Sequence, residues 1–210
     1  MSPSPAIRYL SRDPVMRDLI RAAGPCTLKA RRGFSPYESL LNSVAHQQLT
    51  AKAAATILSR FRTLYGDGRF PEPTELLATP LEALRGAGFS RAKAASLHDI
   101  AARTLDGTIP ARRFLARLPD EAIVERLTSV RGVGRWTVEM FLIFTLARPD
   151  VLPVEDYGVR RGFRCAYGGA ELPQPRELAG FGERWAPYRS TAAWYLWRAV
   201  DMHEAAFGRA

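Results

Sequence analysis

Two clusters in this sequence could do chemistry. Glu155 and Asp156 stand side by side in Asp150-Val-Leu-Pro-Val-Glu-Asp-Tyr-Gly-Val159, and upstream Val130-Arg-Gly-Val-Gly134 sets two glycines around one apolar residue. Neighbouring residues point in different directions on a strand or a helix, so only one of the two carboxylates can face a given substrate. Both could instead cap the helix expected to begin near Tyr157, since acidic side chains favour helix starts. The two glycines suit a tight turn in which the backbone takes positive φ and comes close to a ligand. Opening a helix, such a turn aims N–H groups and the positive end of the helix dipole outward, which suits an anion. Arg131 and Arg135 make the surroundings basic. A lone Gly-x-Gly is also found at purely structural corners, so the flanking helices carry the argument. Gly134 and Asp156 are 22 residues apart, room for one helix of about four turns and a return loop.

The bulk properties are consistent with an anionic partner. The 210 residues carry a net charge of +9, from 30 basic against 21 acidic side chains, and each phosphate neutralised by such a surface releases counterions. An arginine-rich surface from a biased genome would give the same charge, because Lys29, Lys52 and Lys93 are the only lysines. With 47% apolar and 24% charged residues, the chain has the profile of an ordinary globular protein. No run reaches the roughly 18 apolar residues of a membrane span. The start, Met1-Ser-Pro-Ser-Pro5, lacks a secretory pattern, so an intracellular protein is expected. Cys26 and Cys165 are far apart and His46, His98 and His203 are scattered, which excludes a zinc site or iron–sulfur cluster of ordinary spacing.

The elements that must position these groups read as helices. Alternating β-branched and polar stretches are almost absent. Ser39 to Phe61 is rich in Ala and Leu and is broken by a possible cap at Thr50; Arg91 to Leu105 is apolar at helical intervals, with Ser90 as its cap. Further helices are expected from Pro119-Asp120, through Val138, Phe141, Leu142 and Thr145, and from about Pro187 to Ala206. The expected fold is all-α, about ten helices in two lobes. One lobe is continuous, from about 35 to 145 with the hairpin at 130–135; residues 1–34 and 146–210 form the other.

Helix, Val130-Arg-Gly-Val-Gly134 turn and second helix together resemble the helix-hairpin-helix motif of DNA-binding proteins. With Leu152-Pro-Val-Glu-Asp-Tyr157 downstream, the chain resembles the HhH-GPD superfamily of base-excision DNA glycosylases. Within it, Gly132-Val-Gly-Arg-Trp-Thr137 looks like the 3-methyladenine DNA glycosylase II branch, with matching segments from about Ser35 to Trp197. It is similar to the compact form of that branch, without an N-terminal β-rich domain. The resemblance implies two helical lobes with a base-binding cleft between them and Asp156, rather than Glu155, as the catalytic carboxylate. It implies that the amides of Gly132, Gly134 and Trp136, with Arg135, bind a DNA phosphate. It also implies that the carbonyls of Thr128, Val130 and Val133 hold Na⁺ or K⁺, with no cofactor required.

A base inside a duplex must be flipped out before it can be excised, and a side chain must fill the gap. The resemblance puts this wedge at Gln47 or Gln48, His46 being the weaker candidate, although both amides could equally tie loops together. Trp136 and Trp197 match pocket tryptophans that would stack on a cationic purine, and Tyr157 could line the same pocket. Trp185, Tyr188 and Trp194 are expected to pack helices, and Lys93 to pack or touch a phosphate. Bifunctional relatives carry a Schiff-base lysine two residues after the second hairpin glycine, where this chain has Trp136. The expectation is a monomeric, monofunctional hydrolase acting on double-stranded DNA with alkylated purines. It would work in a bacterial cytoplasm with the nucleoid, or in a nucleus. A non-catalytic hairpin module and a glycosylase for oxidised or mismatched bases remain the alternatives.

Overall fold

A computed structural model describes residues 4–30, 33–66 and 68–207. Among these residues are thirteen α-helices and one 3₁₀ turn, with no β-strand. In chain order they are α1 (Pro5–Leu10), α2 (Pro14–Ala23), α3 (Pro36–His46), α4 (Ala51–Thr63), α5 (Pro73–Ala78), α6 (Leu81–Gly86), α7 (Arg91–Leu105), α8 (Arg112–Leu115), α9 (Asp120–Thr128), α10 (Arg135–Phe144), α11 (Tyr157–Tyr167), α12 (Pro175–Gly182) and α13 (Arg189–Phe207). The count exceeds the expected ten because α1, α5, α6 and α8 run only four to six residues. That is too short for an apolar period to register.

Local sequence sets the helix starts. Ser35-Pro-Tyr-Glu38 forms a reciprocal capping box with proline in the first turn, Ser35 Oγ accepting from the Glu38 amide and Glu38 from the Ser35 amide. Thr50 caps α4 and Ser90 caps α7, each through its hydroxyl. These caps fix the ends of the helices that carry or support the candidate site.

The chain forms two compact units, Arg31–Leu146 on one hand and Met1–Ala30 with Ala147–Ala210 on the other. In the first, α3, α5 and α6 pack on α7, and α10 packs on α3 and α9. Leu40, Leu41, Val44, Leu97, Ile100, Leu127 and Phe141 are fully or almost fully buried there. Truncating any one of these leucines to alanine would cost about 2–5 kcal/mol.

In the second unit α13 lies against α11 and α2, around Met16, Val159, Leu178, Trp185, Tyr195 and Leu196. The two ends of the chain are stitched by hydrogen bonds. Tyr195 Oη donates to the Gly24 carbonyl at 3.0 Å and Tyr167 Oη to Asp13 Oδ2 at 2.7 Å. The α11–α13 approach is unusually close, for a Cβ added at Gly162 would stand 1.9 Å from the Leu196 carbonyl oxygen. Only glycine lets these backbones touch, and the contact determines where the N-terminus of α11 is held.

Candidate active site

The hairpin lies in the Arg31–Leu146 unit. After α9, Val130 N–H donates to the Leu127 carbonyl and Val133 N–H to the Val130 carbonyl, closing a tight turn. Val133 is buried and pins it. Gly132 has φ +75° and packs so closely on α7 that a Cβ would come within 2.2 Å of Ser96 Oγ. Both positive φ and lack of space demand glycine there. Gly134 differs from expectation. Its φ of −88° is open to any residue and its missing Cβ faces open space. What Gly134 provides is bare backbone at the start of α10, where no side chain caps the helix. An anion can approach such an end closely.

Arg135, expected at a phosphate, forks onto Glu121 at 3.0 and 2.9 Å. The hydrogen bonds from Arg135 hold the Glu121 carboxyl below its ordinary range. Both side chains are largely exposed, and such a pair is worth only about 0–1 kcal/mol, so a phosphate could displace the carboxylate. The carbonyls of Thr128, Val130 and Val133 follow the C-terminal end of α9, the negative end of its dipole, which fits a cation. The Val130 carbonyl would have to share itself with the Val133 amide.

The structure separates the two glutamines expected at the wedge. Gln47 Nε2 donates to the Gly132 carbonyl at 2.9 Å and to Thr137 Oγ1 at 3.1 Å. Its amide therefore ties the end of α3 to both sides of the hairpin, the loop-tying role that stood beside the wedge as the alternative for this residue. Gln48 is exposed and has φ +57°, projecting from the turn beside Leu49, itself 40% exposed. Lys93, expected to pack or meet a phosphate, donates from Nζ to the carbonyls of Ala45 at 3.1 Å and Gln47 at 2.6 Å. It satisfies the C-terminal carbonyls of α3 and fixes the turn that displays Gln48. Partial burial lowers its ammonium pKa.

Trp136, in the first turn of α10, lines a pocket of about 170 Å³ between α10 and α3. It is half-buried, whereas its helix neighbours Thr137 and Val138 are in the core.

The carboxylate belongs to the other unit. Asp156 is the N-cap of α11, its Oδ1 accepting from the Val159 amide at 2.7 Å. The same oxygen accepts from Trp197 Nε1 at 2.9 Å. The residue expected to carry the chemistry is thus also the helix cap. Glu155 is exposed and Asp156 half-buried. Trp197 was expected only as a stacking surface; here it orients the carboxylate. Gly158 makes this possible, since a Cβ would meet Trp197 Cδ1 at 2.9 Å and both Trp197 Nε1 and Asp156 Oδ1 at 3.1 Å. Gly158 and Gly162, four apart on one helical face, were a legible signal for close helix contact that sequence reasoning passed over. Tyr157 opens α11 and is 63% exposed; Trp185 and Trp194 are core residues.

An all-helical fold with a bare-backbone hairpin and a capped, indole-anchored carboxylate defines a class of DNA repair proteins. The family model described as the HhH-GPD superfamily of base excision DNA repair proteins matches residues 41–187. The chain is 44% identical over 167 residues to DNA-3-methyladenine glycosylase 1 of Schizosaccharomyces pombe, covering 80% of this chain and 73% of that protein. A solved structure of a 3-methyladenine DNA glycosylase from the same organism, in complex with abasic DNA, superposes with a TM-score of 0.87 at 39% identity. That match covers 93% of this chain and 96% of the other. A DNA-3-methyladenine glycosidase of Bacillus halodurans superposes with a TM-score of 0.84 at 33% identity, covering 96% and 92%. This chain belongs to the HhH-GPD superfamily.

Proposed function

We propose that this protein is a monofunctional DNA glycosylase that excises alkylated purines, of the 3-methyladenine and 7-methylguanine type, from double-stranded DNA. The relatives support the substrate class. The observation that carries the chemistry is the double anchoring of Asp156 by the Val159 amide and Trp197. Two donors on Oδ1 restrain the carboxylate and preorganise it for a developing positive charge.

In the reaction the C1′–N9 bond breaks and its electron pair leaves with the purine. The sugar gains oxocarbenium character, stabilised by the Asp156 carboxylate. Water then adds to C1′ and loses a proton, leaving an abasic site. An alkylated purine is already cationic, so it departs without strong acid catalysis. The hairpin amides of Gly132, Gly134 and Trp136, with Arg135, hold a DNA phosphate without reading sequence. Gln48 enters the gap left by the flipped base, and Trp136, Trp197 and Tyr157 are the aromatic candidates for contact with that base. A monovalent cation on the carbonyls of Thr128, Val130 and Val133 would screen the hairpin against the phosphate, and K⁺-dependent DNA affinity would report it.

Trp136, standing where bifunctional relatives carry the Schiff-base lysine, supports hydrolysis over a lyase reaction. Lys93 has its Nζ committed to two carbonyls, and Lys29 and Lys52 are exposed. No helix among the described residues is long and apolar enough to cross a membrane. We place the protein with its DNA, in a bacterial cytoplasm or a nucleus. The test is base release from methylated duplex DNA, followed by strand breakage with and without alkali. Release of methylpurines with breakage only in alkali supports the reading. Binding without release would make the chain a hairpin DNA-binding module, and breakage without alkali would reveal a lyase.

A further inference from the structure

The pocket beside Trp136 has two unlike walls. From α10 come Trp136, Met140 and Phe144, four apart and apolar; from α3 come Ser39, Asn42 and His46, polar and on one helical face. A polar stripe on a helix normally faces water, yet Ser39 is 5% and Asn42 9% exposed. Ser39 Oγ is buried with no hydrogen-bond partner, and a buried hydroxyl in that state is an exception that calls for a reason. Asn42 makes no side-chain hydrogen bond among the described residues. His46 Nδ1 lies 2.8 Å from the Asn42 carbonyl. A carbonyl can only accept, so Nδ1 carries the proton and, in the neutral ring, Nε2 is left as an acceptor.

The dimensions fit one ligand class. A cavity of roughly 150 Å³ takes a benzene ring, so about 170 Å³, open on one side, admits much of a flat heterocycle. Trp136 offers a face to a cationic ring, and Met140 a polarisable contact. The opposite wall offers an amide and an imidazole acceptor toward the ring's edge, with the Ser39 hydroxyl buried within the same wall.

We propose that Ser39, Asn42 and His46 form an edge-reading wall that selects purines carrying exocyclic N–H donors. This rests on the glycosylase reading above and assigns to it a source of selectivity beyond aromatic stacking. A purine lacking the donor would leave a buried acceptor unsatisfied, which weakens its excision even when its charge is the same.

The test compares duplexes bearing 7-methylguanine and 7-methylhypoxanthine. Both are cationic and N7-methylated, and only the first has an exocyclic amine. Single-turnover excision rates, each normalised to spontaneous depurination of the same duplex, are measured for wild type, Ser39→Ala, Asn42→Leu and His46→Phe. Wild type should favour 7-methylguanine by about tenfold or more. At least one of Asn42→Leu and His46→Phe should bring the ratio within about threefold, mainly by slowing 7-methylguanine. Ser39→Ala should leave Tm unchanged or higher, because it removes an unpartnered buried group; a hydroxyl with a structural task would lower it. A wild-type ratio near one, or a ratio unchanged in every variant, overturns the proposal while leaving the glycosylase intact. Wild type that releases neither base overturns the glycosylase reading and the edge-reading wall with it.

Discussion

Replacing Trp197 by phenylalanine tests the anchoring of Asp156 directly. The ring remains as an aromatic surface, but the Nε1–H that meets Asp156 Oδ1 at 2.9 Å is lost. The Val159 amide at 2.7 Å still holds the same oxygen, so the carboxylate should become less ordered without leaving its place. A hydrogen bond to a charged group contributes about 1.5–3 kcal/mol. If that energy serves the transition state, the excision rate falls about 10- to 100-fold, with affinity for abasic DNA little changed. The assay is single-turnover release of 7-methylguanine in a cycle of Trp197→Phe, Asp156→Asn and the double variant. Trp197→Phe should slow wild type but add almost nothing in the Asp156→Asn background, since its effect passes through the carboxylate. Gly158→Ala, which pushes a methyl against the indole and Oδ1, should reproduce the defect with the donor still present. A rate within about twofold of wild type would refute the reasoning, as would an equal loss in the Asp156→Asn background; the latter would make Trp197 a stacking residue alone.

Other consequences can be measured with the same duplexes and with thermal melts. Asp156→Asn should lower base release by at least about 10²-fold while DNA binding persists; Glu155→Gln, at an exposed position, should stay near wild type, and the reverse order would move the catalytic role to Glu155. Gln48→Ala should slow excision with stability unchanged. Gln47→Ala, which leaves the Gly132 carbonyl and Thr137 hydroxyl without their shared donor, should cost about 1–3 kcal/mol of stability. Gly162→Ala should destabilise by about 3 kcal/mol or more, because the methyl meets backbone that cannot rotate away; an unchanged Tm would mean that α11 and α13 separate at little cost.

Much of the local structure was legible residue by residue. Ser90 and Thr50 announced their helices because a cap is a contact between residues three apart. Gly132 announced its turn because positive φ is a local demand. Asp156 could be singled out by motif, and the structure shows it as the N-cap of α11, a duty compatible with the catalytic one proposed for it. That Trp136 stands where bifunctional relatives carry a lysine could also be read from the sequence.

Tertiary structure decided the remainder. Gln47 and Gln48 are the same residue type in adjacent positions; only the packing of α3 against the hairpin makes one a tie and exposes the other. Arg135 reads in sequence as a phosphate ligand, and only the fold shows that Glu121, 14 positions away, pairs with its guanidinium where a phosphate would bind. The polar residues of α3 become a pocket wall only because α10 lies opposite them. Trp197 and Asp156 are 41 residues apart, and the contact exists because Gly158 and Gly162 bring α11 onto α13. Sequence by itself determined which residues can start, turn or end a helix and which groups can bear charge, since those are properties of a few adjacent residues. Which donor meets which acceptor depends on distances between helices, and those are set by side-chain volumes at positions far apart in the chain.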